Sequence, residues 1–99
     1  LPPELWHRKP KLLRKALVLI KQIAEDFKEA LAMSERVVQA LPEAMSLDTM
    51  DEADLSAAMD VLQEHTELLI EVGGEDNLQR TVEMADRVVA GRKQILGQQ

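Results

Sequence analysis

Apolar residues in this chain recur at spacings of three and four, in three stretches set apart by proline and glycine. In the first stretch Leu13, Ala16, Ile20, Ile23, Phe27, Ala30, Ser34, Val37 and Leu41 form a heptad seam whose one polar member is Ser34. Leu17, Ala24, Leu31 and Val38 repeat every seven residues beside it and widen the stripe. A stripe that wide touches two neighbours, so this segment is expected to be the spine of the fold. Pro10 suits a first helical turn and Pro42 cannot continue a helix, which places helix 1 at about 10–41.

Thr49 and Glu52 have the spacing of a capping box, with Thr49 the N-cap, and open a second helix at about 50–72. Its inward face reads Leu55, Ala58, Met59, Leu62, His65, Thr66, Leu69 and Val72, and Gly73-Gly74 ends it. Asp76, with Gln79 in the reciprocal position, caps a third helix at about 77–96. That helix is expected to turn Leu78, Val82, Ala85, Val88, Val89, Ile95 and Leu96 inward. Short connections make sequential helices antiparallel neighbours. The expected architecture is therefore all-α: an antiparallel three-helix bundle over 10–97, preceded by an N-terminal arm, 1–9.

Composition agrees with a single domain. Ninety-nine residues split in two would leave neither half a stable core. Apolar residues make up 45% of the chain, but the aromatics are only Trp6 and Phe27, so aliphatic side chains must fill the interior. The absence of cysteine removes disulfides, thiolate metal sites and a cysteine nucleophile. No apolar run approaches a membrane span, and a cytoplasmic setting is expected. A start at Leu1 without Met reads as a domain taken from a longer protein.

Charge adds a direction to the picture. The net charge of −6 disfavours nucleic acid as a partner. Residues 1–21 hold six basic side chains against one acid, Glu4, whereas 43–76 hold eleven acids and no base. Arg14, Lys21 and Lys28 form a basic line on helix 1, and Asp60, Glu64, Glu67 and Glu71 an acidic line on helix 2. Antiparallel packing would set Lys21 near Glu64 and Arg14 near Glu67 or Glu71. Exposed pairs of this kind set alignment and contribute little stability each.

The residues give little support to chemistry. His7 and His65 are the only histidines, and Glu4-Leu5-Trp6-His7 is a lone Glu-x-x-His where a di-iron bundle needs two. Asp48, Asp51 and Asp54 lack the ligand alternation and turn glycine of a calcium loop. Gly73-Gly74 lacks the further glycine and lysine of a phosphate loop. Ser34, Ser56 and the three threonines have no histidine at helical spacing to act as base. His65, between Leu62 and Leu69, reads as an edge-of-core histidine or as a pH switch. The expectation is a non-enzymatic domain without metal or cofactor.

Binding is where the residues point instead. Leu12, Val18 and Leu19 are apolar on flanks of helix 1, amid Arg8, Lys9, Lys11, Arg14 and Lys15. Positive charge at a helix N-terminus opposes the helix dipole, a cost that a binding surface would explain. Trp6, in the proline-flanked arm, is the type of residue that anchors an interface. Trp6, Lys11, Leu12, Lys15, Val18 and Leu19 are thus the first candidate partner-binding surface. Three readings of its apolar members stand side by side: they complete the core under the arm, they meet a protein, or they meet an anionic membrane. The protein would be a second copy or an acidic, apolar helix. Asp60, Glu64, Glu67 and Glu71 are a second candidate surface, provided helix 1 does not neutralise them.

One long and two shorter antiparallel helices is also the layout of several adaptor modules. Glu83-Met84-Ala85-Asp86-Arg87-Val88 and Lys93-Gln94-Ile95-Leu96 resemble in texture the GAT bundles of trafficking adaptors, and the co-chaperone BAG bundles share the layout. The likeness is confined to the third helix, which is short for the GAT family. What the resemblance implies is an adaptor role. The expected function is accordingly protein–protein interaction as an adaptor or assembly module. The alternatives are a self-associating helical chaperone of secretion or assembly type, and a peripheral membrane module.

Overall fold

The computed structural model describes residues 10–45 and 52–97, with 42–45 as backbone only. Of the described residues 94% are helical, and none lies in a strand. The described residues form four helices where three were expected: α1 (Pro10–Ile23), α2 (Phe27–Met45), α3 (Glu52–Val72) and α4 (Glu75–Gly97). The Thr49 cap lies outside the described residues.

The extra boundary splits the long first segment at 24–26. Asp26 is its cause. Its Oδ1 accepts the backbone N–H of Glu29 at 2.8 Å, and its carbonyl accepts that of Ala30 at 3.0 Å, which together start α2. The last bond of α1 runs from Ala24 N–H to the Ile20 carbonyl. Asp26 and Glu29 carry the composition of a capping box, hidden in sequence beneath an unbroken heptad seam. A single helix over 10–45 would be about 54 Å long, yet the molecule measures 36 Å along its longest axis. The break costs the seam its middle: Ile23 and Phe27 are exposed. At its other end α2 continues through Pro42 to Met45. Proline breaks only the bond to the residue four before it and keeps a helical φ, so a final turn can pass through it.

Folding back at 24–26 also changes the sense of packing. Lys11 approaches Asp54, Arg14 meets Asp60, and Lys21 meets Glu64 and Glu67, so numbers rise together and α1 runs parallel to α3. The expected Lys21–Glu64 contact forms, but Arg14 reaches Asp60 and not Glu67 or Glu71. α2 runs the other way, with Ser34 against His65. α4 is antiparallel to α3, with Arg92 on Asp60 and Gln63. Gly73 and Gly74 make the tight turn between them at φ of 76° and 100°, a region open to glycine without strain. Gly74 supplies the carbonyl for the first α4 bond, so Asp76 sits in the first turn and is not the cap.

The spine is α3 and not the first segment. Among the described residues α1, α2 and α4 all pack on it, while α4 packs on α3 and reaches α2 through the Arg80–Glu35 ion pair. Ala57, Val61 and Leu68 are buried on one side of α3, Leu55, Leu62 and Leu69 on another. Leu13 and Leu17 of α1 and Ala30, Leu31, Val37, Val38 and Leu41 of α2 close over it.

α4 corrects the sequence reading most. Leu78, Val82, Val89 and Leu96, expected inside, are 65%, 58%, 52% and 65% exposed, and Ala85 is exposed with them. Only Val88 and Ile95 of the expected set face the core. Two heptad stripes lie side by side on this helix, and contact with one neighbour can cover only one of them. The covered stripe is Thr81, Met84, Val88, Gly91 and Ile95. Gly91 fits this choice: a Cβ there would stand 2.1 Å from the Met59 sulfur, so any other residue would have to displace the buried Met59 side chain.

Candidate interaction surface

Lys11, Leu12, Lys15, Val18 and Leu19 all lie on α1, which begins at Pro10 with no acid in its first turn. Trp6 lies outside the described residues. Val18 is 47% and Leu19 55% exposed, while Leu12 is half-buried. Among the described residues, then, Val18 and Leu19 are not core. With Arg14, Lys15 and Gln22 they line a shallow hollow of about 350 Å³ on the outer side of α1. A second hollow, about 540 Å³, has Val18 on one wall and Asp60, Gln63 and Glu64 of α3 across from it. Val18 therefore stands on the ridge between an apolar–basic face and a polar groove.

The acidic line is taken up by cations. Asp60 receives hydrogen bonds from Arg14 at 3.0 Å and from Arg92 at 2.8 Å, tying α1 to α4 across α3. Partial burial would raise the Asp60 pKa, but the hydrogen bonds and charges of Arg92 and Arg14 outweigh this and hold it below the usual carboxylate value. Lys21 bonds Glu64 and also lies 3.8 Å from Glu67. Only Glu71 of the four makes no ion pair among the described residues. α1 and Arg92 thus pair Asp60, Glu64 and Glu67, and Glu71 stays exposed beside them.

One pair of residues could not have been foreseen from helical spacing. Ser34 Oγ lies 2.7 Å from His65 Nδ1, and both side chains are 0% exposed. The Ser34 hydroxyl donates to the Leu31 carbonyl at 2.9 Å. Its oxygen is then left to accept from Nδ1–H of His65. His65 Nε2 is buried with no hydrogen-bond partner among the described residues. Burial lowers the His65 pKa, the nearby Arg80 lowers it further, and Glu35, paired with Arg80 at 2.6 Å, opposes them. A serine beside a histidine has the form of a nucleophile and its base. Here the hydroxyl proton goes to a backbone carbonyl, and both side chains are buried.

Among the described residues no three histidine, aspartate or glutamate side chains gather as metal ligands, and no helix is long and apolar enough to cross a membrane. What sequence reasoning missed is the exposed stripe of α4. Its signal was present as the second heptad, and only the number of neighbours around α4 decides which stripe is covered. Compared with protein-family models, curated proteins and solved structures, the chain matches none.

Proposed function

We propose that this chain is a non-enzymatic protein-interaction module, an adaptor or assembly domain of the cytoplasm, that docks a partner on the outer face of α1. The observation that carries this reading is the exposure of Val18 and Leu19 side by side with Lys15 on a helix whose opposite face is core. Adjacent apolar side chains rimmed by positive charge favour an amphipathic, acidic helix as the partner. Lys15, with Lys11 at its Asp54 pair beside it, would steer such a partner, and the apolar pair would supply most of the affinity. Trp6 belongs to the same proposed surface by sequence.

A membrane-binding role draws less support. Of the basic side chains on α1, Lys11, Arg14 and Lys21 are engaged by α3, which leaves few charges for anionic lipid. Affinity capture from the native cell with the wild-type chain and with the Val18→Ser, Leu19→Ser variant tests the proposal. The expected result is a partner held by the wild type and lost by the variant, with helical circular dichroism unchanged. An unfolded variant would mean that the two residues are structural, and a partner retained by a folded variant would place the docking surface elsewhere.

A further inference from the structure

The buried contact between Ser34 and His65 lies beside the one ion pair that joins α2 to α4 among the described residues. Glu35, next to Ser34 on α2, takes Arg80 of α4 at 2.6 Å. The two helices do not otherwise pack closely on each other. Glu35 and Arg80 are both part-exposed, so their pair holds α4 only weakly. Both charges act on His65: Arg80 disfavours a proton on the ring and Glu35 favours one. From α1, Lys21 comes to Glu64 and Glu67, the acids on either side of His65 along α3, and is taken up by them.

A proton added to this histidine finds no place prepared for it. With Nδ1–H given to the Ser34 oxygen, the proton goes to Nε2, which is buried without an acceptor among the described residues. A buried cation with an unpaired N–H is costly and is stable only where water enters. The new charge also makes Glu35 the counter-ion of two cations at once. α2 is held by both α1 and α3, whereas α4 is held by a single stripe on α3. Of the two cations, Arg80 is therefore the one able to move away.

We infer that protonation of His65 drives α4 away from α2, a response to acid that opens one helix while the other three stay folded. Opening takes Arg80 from the ring and wets it, so the open form binds the proton more readily and gains as pH falls. This response is independent of the docking face proposed on α1. The separation of α2 and α4 is read as a distance between spin labels at Ala32→Cys and Glu83→Cys, exposed positions in a chain with no cysteine of its own. One short distance is expected at about pH 7.5. A second, longer one should grow in towards about pH 5.5 and vanish on return, while circular dichroism keeps most of its helical signal. His65→Leu and His65→Gln, neither of which takes a proton, should hold the short distance throughout. Arg80→Gln should keep it at about pH 7.5 and open less in acid. In a His7→Gln background His65 gives the single histidine ring signal by NMR. Its titration midpoint should move up with Arg80→Gln and down with Glu35→Gln, a split that needs no change at His65 itself. A distance insensitive to acid, the same opening in a folded variant lacking His65, loss of all four helices together, or midpoints that do not split would each overturn the inference.

Discussion

α3 and α4 are of similar length, 21 and 23 residues, and they pack against each other, yet their burial is very different. Nine residues of α3 are buried, spread around most of its circumference, and only Gly91 and Ile95 of α4 are. The cause lies in neighbours and not in apolar content. α3 has a helix on three sides, so Ala57, Val61 and Leu68 are covered as well as Leu55, Leu62 and Leu69. α4 has a helix on one side, and a whole heptad of aliphatic side chains stays in solvent. Burial of a helix is decided by what surrounds it, and its own pattern sets only the upper bound.

The difference predicts a gradient of mutational effect. Leu62→Ala, in the fully enclosed part of α3, should destabilise the chain by about 2–5 kcal/mol in denaturant unfolding. Val82→Ala on α4 should change the same measurement by less than about 0.5 kcal/mol. Equal effects from the two would erase the distinction between hub and cover.

Between these extremes lies the polar contact that α3 makes with α2. Ser34→Ala would leave a second nitrogen of buried His65 unpaired and should cost about 1–3 kcal/mol. The same histidine gives α3 a pH response. Its folded pKa is depressed below 6.5, so the stability that comes from keeping it neutral is complete above that value and is lost as pH falls below it. Urea unfolding should accordingly show a loss between pH 7.5 and 5 that His65→Leu removes. Asp60, also depressed, loses its contribution only below its ordinary value of 3.8, well clear of that window. A smaller effect is expected at the break. Asp26→Ala removes the cap of α2 and should cost about 1 kcal/mol, read as a lower thermal midpoint.

The helical class, the second and third helices to within two residues at each end, and the packing of α4 antiparallel to α3 were legible in the sequence. The first segment was not, because a heptad seam runs through Ala24–Asp26 without a flaw, and a strong periodic signal masks one capping aspartate. The parallel sense of α1 and α3 follows from that single miss. The exposure of Leu78, Val82, Val89 and Leu96 was illegible for another reason: periodicity shows that a face is apolar and is silent on how many helices arrive to cover it. On α1, Val18 and Leu19 stood out because they broke the local pattern of polar flanks. His65 and Ser34 are 31 positions apart, and only tertiary packing brings them together.

The two glycines before α4 give that helix a further property. A segment held by one face and joined through backbone with wide torsional latitude can lift away as a unit while the other three helices stay assembled. Its amide protons would then be the first to exchange with solvent. The floor it leaves open is Met59 together with the adjoining aliphatic surface of α3, a sticky hydrophobic strip. Whatever keeps the last helix seated also shields the molecule from aggregation.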